Sequence, residues 1–304
     1  MNALFFERFG GPEVLQYGAL ADPQVGPGEV LVRTSAIGLN FADIYRRRGN
    51  YHLAGAPPYV AGYEAAGTIE GTGERVAFAD SPYANAGLVA VPREKLIPLP
   101  DDISDETAAA LLLQGLTAHF LTHDSHLVRT GERVLVHAAA GGVGSLLVQI
   151  AALRGAYVVG LASSEAKRAA VLEAGADRAL SYDEWQDERD FDVVYDSVGS
   201  TLDASLRAAR TGGQVVFYGM AGGDPAPVDP RVLMDRSLTL SGGDLWNVLR
   251  TNEDRVARAA ALFGWARDGR LRVRIAERFP LARGADAHRF LESRAAVGKV
   301  LLVP

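Results

Sequence analysis

Residues Arg133 to Ser164 read RVLVHAAAGGVGSLLVQIAALRGAYVVGLASS, and this stretch decides the fold. Val134, Leu135 and Val136 form a short continuous apolar run, the pattern of a strand buried on both faces. Ala139, Gly141 and Gly144 then occupy the three small-residue positions of a dinucleotide-binding turn, with alanine in place of the first glycine. Such a turn needs small residues because the backbone bends tightly, a pyrophosphate approaches the main chain, and the following helix packs close to the strand. Leu146, Leu147, Ile150 and Leu153 follow at helical spacing, Gly155 is a plausible stop, and Tyr157 to Leu161 is a second apolar run. The stretch is therefore a βαβ unit. Phosphate at the start of its helix would meet backbone N–H groups and the positive end of the helix dipole.

Strand–helix alternation continues beyond it. Helical segments at Lys167–Ala174 and Leu202–Ala209 separate apolar runs at Arg178–Tyr182, Phe191–Tyr195, Gln214–Tyr218 and Leu238–Leu240, which predicts a doubly wound parallel sheet. Gly222–Pro230 reads as a loop, and Glu253–Arg267 as a helix with Val256, Ala259, Ala260 and Phe263 on one face. Residues 1–100 are different. Glycines and prolines punctuate short apolar runs at Glu29–Ser35, Thr68–Glu70, Arg75–Phe78 and Gly87–Pro92, the pattern of a small barrel-like domain, with a short helix at Asn40–Arg48. Asp101–Leu113 reads as a buried helix and Gly115–Leu127 as a second helix, and Arg272–Ala276 and Lys299–Val303 as strands returning to the first domain. Expected boundaries are 1–116 with 252–304 for the β-rich domain and 117–251 for the dinucleotide-binding domain.

Bulk properties narrow the function. A chain of 304 residues with 48% hydrophobic and 22% charged residues suits a two-domain globular protein. A net charge of −6 argues against non-specific nucleic-acid binding and offers nothing to an anionic membrane. The absence of cysteine excludes disulfides, thiolate catalysis and cysteine-ligated zinc. No signal peptide and no apolar run of spanning length are visible, so a cytoplasmic enzyme is expected.

The cofactor is read from the end of the second strand. NAD sites place an acidic residue there for the ribose hydroxyls. Here the strand ends Leu161-Ala162-Ser163-Ser164, with Glu165 later and Lys167 and Arg168 after it. A carboxylate would repel a 2′-phosphate, whereas serines and a lysine one turn on would bind it, so NADPH is expected over NADH.

The chain resembles the zinc-independent quinone oxidoreductases, the zeta-crystallin-like group of the medium-chain dehydrogenase/reductase superfamily. The resemblance rests on GLNFADIYRRRG at Gly38–Gly49, AGYEAAG at Ala61–Gly67, LLQGLTAHFL at Leu112–Leu121, HAAAGGVG at His137–Gly144, FDVVYDSVG at Phe191–Gly199 and FLESRAAVGKVLL at Phe290–Leu302. It implies a GroES-like catalytic domain built from both chain ends, a central Rossmann domain, a cleft between them and a homodimer. Zinc-dependent relatives carry cysteine at the position of Asn40 and histidine at that of Tyr63; Glu64 alone is no zinc site. By position, Asn40 and Tyr45 should line the nicotinamide and substrate pocket, and Thr117 should contact the cofactor. Ala140, Gly141, Gly142, Val143 and Gly144 should hold the pyrophosphate. Ser163, Lys167 and Tyr182 should surround the 2′-phosphate and adenosine. Ser197, Phe217, Tyr218, Gly219, Ser241, Gly242 and Gly243 should border the cofactor, and Gly298 and Lys299 should close over the nicotinamide. The connection between Ala66 and Val76, GTIEGTGER, is shorter than the relatives usually have.

A quinone accepts hydride readily, so the protein mainly holds the ring and stabilises negative charge developing on oxygen. Tyr45 is expected to polarise the acceptor and Asn40, through its amide N–H donors, to assist and orient the nicotinamide. Reduction of an activated C=C bond on the same fold, or an NADPH-loaded crystallin-like role with little turnover, are the alternatives. His119, His123 and His126 share a predicted helix face and read as a partly exposed polar face rather than a metal site. Arg46, Arg47 and Arg48 read as a solvated charge run. Dimerisation is expected through the sheet edge near Leu238–Leu240.

Overall fold

Along the chain, described over residues 1–304 by a computed structural model, the first elements are β1 (Asn2–Phe6), β2 (Gln16–Ala19) and β3 (Glu29–Leu39). Helix α1 (Phe41–Arg48) follows, then β4 (Tyr59–Val60), β5 (Ala65–Ile69), β6 (Arg75–Phe78), β7 (Leu88–Pro92) and β8 (Ile97–Pro98). Helix α2 (Asp105–Phe120) leads to β9 (Arg133–Val136), α3 (Gly142–Leu153), β10 (Tyr157–Leu161), α4 (Glu165–Glu173) and β11 (Arg178–Leu180). Next come β12 (Phe191–Asp196), α5 (Leu202–Ala208), β13 (Ala209–Phe217), α6 (Pro230–Arg236), β14 (Thr239–Gly242) and α7 (Leu245–Val248). The chain ends with α8 (Asn252–Arg267), β15 (Ile275–Pro280), α9 (Gly284–Glu292) and β16 (Lys299–Val303). No helix is long and apolar enough to cross a membrane.

Two units form. The first holds Met1–Leu113, Leu249–Asp268 and Val273–Pro304; the second holds Gln114–Val248 and Gly269–Arg272. In the first, β3 is the spine. Val30, Val32 and Thr34 face inward while Arg33 and Ser35 face out, and from Ala36 to Leu39 the strand is buried throughout. It pairs with β5, β7 and the C-terminal β16, in a sheet ordered β15-β16-β3-β5-β6-β8. The last strand of the chain thus lies beside the residues that lead into α1. The short Ala66–Val76 connection closes as a hairpin, with Ile69 N donating to Glu74 O and Gly71 and Gly73 in the left-handed conformation. A β1/β2/β4 sheet and α9 complete a core that includes Phe6, Phe78 and Leu302.

The second unit is the predicted parallel sheet, ordered β11-β10-β9-β12-β13-β14 with every neighbour pair parallel. Parallel strands put all their C-terminal ends on one edge, where ligands bind in open α/β sheets. Its core packs Leu135, Val159, Trp185, Phe191, Val194 and Val215.

Several sequence expectations change. Asp105–Phe120 is one helix, capped by Ser104 through Thr107 N at 3.1 Å; Gly115 does not interrupt it. Glycine costs a helix only about 1 kcal/mol, and packing of the surrounding leucines overrides that. Beyond it, Leu121–Ser125 form a wider π-turn, which leaves His126 off the helix face. His119 and His123 do stack, with centroids 3.9 Å apart, whereas His126 bonds Gln214 and Glu132. The Gly222–Pro230 loop runs to Asp229, with α6 starting at Pro230, and the first of the two returning strands spans Ile275–Pro280 rather than Arg272–Ala276.

Candidate functional site

The turn after β9 is built by close approach. A Cβ on Gly144 would stand 2.3 Å from Ala138 O and 2.9 Å from Ala139 Cα, so only glycine lets α3 sit this near the strand. Ala138 itself holds φ 47°, and its N–H donates to Tyr182 Oη at 3.0 Å. Alanine fits at position 139 because Gly160 on the adjoining β10 makes room: a Cβ there would lie 2.8 Å from Ala139 Cβ. Gly141 ends the turn in an extended conformation, and Gly142, Val143 and Gly144 open α3. The first N–H groups of a helix have no intrahelical acceptor, so three backbone donors and a helix dipole face this point. The cradle fits a pyrophosphate.

Along the same sheet edge lie the other residues expected to hold the nucleotide. Ser163 is exposed after β10, and Ser164 caps α4 by accepting from Lys167 N, which places Lys167 in the first turn. Tyr182 follows β11, Ser197 follows β12, and Phe217, Tyr218 and Gly219 end β13. Ser241, Gly242 and Gly243 end β14, with Ser241 Oγ accepting from Gln214 at 2.9 Å and Gly243 N donating to Phe217 O. Thr117 is half-buried on α2.

A buried network not foreseen in the sequence underlies two of these loops. Ser205 Oγ donates to Asp196 Oδ2 at 2.7 Å and therefore accepts from His137 Nε2 at 3.0 Å. Asp196 also accepts from Thr201 Oγ1, Val198 N and Gly199 N. It so anchors the loop carrying Ser197, while His137 begins the phosphate turn. Burial pushes the His137 imidazole down and keeps it neutral. Burial opposes ionisation of Asp196, yet the neighbouring His137 and the hydrogen bonds from Ser205, Gly199 and Thr201 hold its carboxyl below the usual carboxylate range.

In the first unit, Asn40, Glu64 and Lys299 form a second buried network. Lys299 Nζ donates to Asn40 Oδ1 at 2.8 Å and to Glu64 Oε2 at 2.5 Å. Asn40 Nδ2 donates to Glu64 Oε2 at 3.0 Å and to Gly38 O at 3.2 Å, and Glu64 Oε1 accepts from Leu113 N. The amide donors expected to serve an acceptor oxygen are thus turned inward, and Lys299, expected over the nicotinamide, is an ammonium paired with Glu64. Asn40 also caps the start of α1, its N–H donating to Asp43 Oδ2 at 2.9 Å. These side chains fix the start of the helix that carries Tyr45. Gly298, at φ 98°, is held tight to Arg274 O, 2.2 Å from where a Cβ would be. Tyr45 is half-buried, beside Phe41 and Tyr51. No three His, Asp or Glu side chains are grouped to hold a metal.

The arginines of α1 correct the solvated reading. Arg46 is 2% and Arg47 0% exposed; only Arg48 is solvated. Arg47 donates to His288, Glu292 and Gly10 O, fastening α1 to α9. A signal was present: three consecutive arginines span about 200° around a helix, so on a helix with one buried face not all of them can point to solvent.

Residues 26–80 match the alcohol dehydrogenase GroES-like domain, and residues 142–261 match the zinc-binding dehydrogenase domain. A quinone oxidoreductase of Pseudomonas aeruginosa is 38% identical, over 98% of each chain. The chain belongs to the quinone oxidoreductase family. A 2-haloacrylate reductase of a Burkholderia species is 34% identical over 99% of this chain and 98% of its own. The quinone oxidoreductase of Escherichia coli, solved in complex with NADPH, superposes with a TM-score of 0.96 at 33% identity, covering both chains fully. This quinone oxidoreductase family member therefore has the expected GroES-like and Rossmann domains. At the two positions that the resemblance assigns to zinc ligands it carries Asn40 and Tyr63, and Lys299 stands against Glu64.

Proposed function

We propose that the chain catalyses NADPH-dependent reduction of quinones. The observation that carries this is the cradle of residues 138–144, in a chain whose relatives include a quinone oxidoreductase solved with NADPH. Bound NADPH supplies a hydride. The protein's part is to bind and orient. Gly142, Val143 and Gly144 offer N–H donors to the pyrophosphate. Ser163 and Lys167 take the 2′-phosphate, with no carboxylate at the end of β10 to repel it. Tyr182 contacts the adenosine end. Thr117, Ser197, Phe217 to Gly219 and Ser241 to Gly243 border the remainder, and Gly298 adjoins the acceptor end. Tyr45 donates its phenol hydrogen to an acceptor oxygen as negative charge develops there. Asn40 acts by anchoring α1, the helix on which Tyr45 is displayed.

The test is NADPH oxidation with benzoquinone, naphthoquinone, an enone and a haloacrylate, compared with NADH. Quinone turnover with NADPH preferred, lost on the order of a hundredfold in Tyr45→Phe, is the expected result. A Lys167→Ala variant should weaken NADPH far more than NADH; equal weakening refutes the 2′-phosphate assignment. The likeness to 2-haloacrylate reductase supports a second reading, reduction of an activated C=C bond, which turnover confined to the enone and haloacrylate would establish. We also infer a homodimer, paired at the free edge presented by β14.

A further inference from the structure

Arg46 sits where a charge is costly, with 2% of its side chain exposed. A guanidinium there persists only if fixed partners surround it. Nη1 donates to Asp43 Oδ1 at 3.1 Å, and Nε donates to the carbonyl of His52 at 2.9 Å. The planar group lies 3.6 Å from the centre of the Tyr63 ring and 5.1 Å from that of Tyr51. Tyr51 in turn meets Tyr45 edge-on at 6.2 Å and the His52 ring at 4.9 Å. Tyr63 Oη accepts from Ala54 N at 3.1 Å. Residues 51–54 belong to no helix or strand, so these contacts are what order them.

We propose that Arg46 is a positioning residue for the acceptor end of this enzyme, an inference that rests on the quinone-reduction reading. Tyr45 and Tyr51 are both half-buried and meet edge-on, so each keeps part of its surface uncovered. A flat acceptor held at Tyr45 takes Tyr51 as an aromatic wall, and Arg46 sets the place and tilt of that wall. It does so by gripping the 51–54 segment through His52 and Tyr51 while resting on the buried Tyr63. The acceptor class favoured is planar and aromatic-sized. Lysine is no substitute, because an ammonium neither stacks flat on a ring nor presents a planar fork of donors.

The experiment compares wild type with Arg46→Lys, Arg46→Met and the double variant Asp43→Asn/Arg46→Met. The double variant removes both buried charges while leaving an acceptor for Asn40 N, and so keeps the test alive if Arg46→Met alone does not fold. Quinone KM should rise by up to about tenfold in all three, the scale of one aromatic contact. The turnover number should move far less, and NADPH affinity, read by fluorescence titration, should not move. A second readout needs no turnover: Tyr51→Phe should change the near-ultraviolet circular dichroism of the wild type but not of the Arg46→Met or double-variant background. Folded variants with parental quinone KM, NADPH affinity falling in step with KM, or the same Tyr51 difference in both backgrounds would overturn the inference. A wild type that reduces no quinone defeats the quinone reading itself, while the dichroism comparison still decides the role of Arg46.

Discussion

Arg47 Nη1 and His288 Nδ1 lie 2.9 Å apart, and both side chains are fully buried. Burial, reinforced by the guanidinium, pushes the His288 imidazole down to about 3. In the unfolded chain a histidine takes its proton near pH ~6.5. Between those values the unfolded state binds more protons, so stability falls as pH drops from about 6.5 toward 3, by up to ~1.4 kcal/mol per pH unit from this residue. His137, also pushed down by burial, acts in the same direction. Urea unfolding measured from pH 7 to 5 should show that decline, and His288→Gln, which keeps an acceptor for Arg47, should flatten it by one proton; an unchanged slope refutes the assignment. The pair Glu64–Lys299 makes a second residue-level prediction. Lys299→Met leaves a fully buried carboxylate without its cation, at about 3–5 kcal/mol. Adding Glu64→Gln should recover most of that, as read by the urea midpoint; no recovery would mean that charge pairing with Glu64 is not what Lys299 contributes. Neither network was visible in the sequence, since Lys299 stands 259 residues from Asn40 and 235 from Glu64. A lone glutamate among small residues in AGYEAAG marks a buried charge but does not name its partner.

At the scale of elements, the unit from β9 to β10 was the part most legible beforehand, because its apolar periods and small residues are local properties. The structure adds why each small residue is there. Gly144 faces a carbonyl that cannot retreat, whereas Ala139 is tolerated through its complement, Gly160. Gly144→Ala should therefore weaken NADPH binding by about ten- to a hundredfold, from an overpacking cost of about 1–3 kcal/mol. Isothermal titration checks this, and unchanged affinity would show that the helix can back away. Helix α1 was placed correctly in sequence but its exposure was misjudged. Runs of like charge are usually solvated; here Asp43 and Tyr63 meet one arginine and His288 and Glu292 the next.

For the whole molecule, the free edge of β14 is the feature that a second copy would pair. Light scattering should give twice the 32.4 kDa chain mass, and Thr239→Lys, a charge on that exposed edge, should shift it to monomer. A monomeric wild type would refute the pairing. The sequence by itself determined the β-rich and the α/β parts, the parallel order implied by alternating strands and helices, and the turn of small residues after β9. All of these follow from periodicity, residue size and residue identity, which are properties of neighbours along the chain. Only the tertiary structure decided that Asn40 turns inward, that Lys299 is the cation of Glu64, and that Arg46 rests on Tyr63. Those facts depend on which distant segments share a buried volume. There a charge must find its counterpart, and spacing along the chain carries no record of the choice.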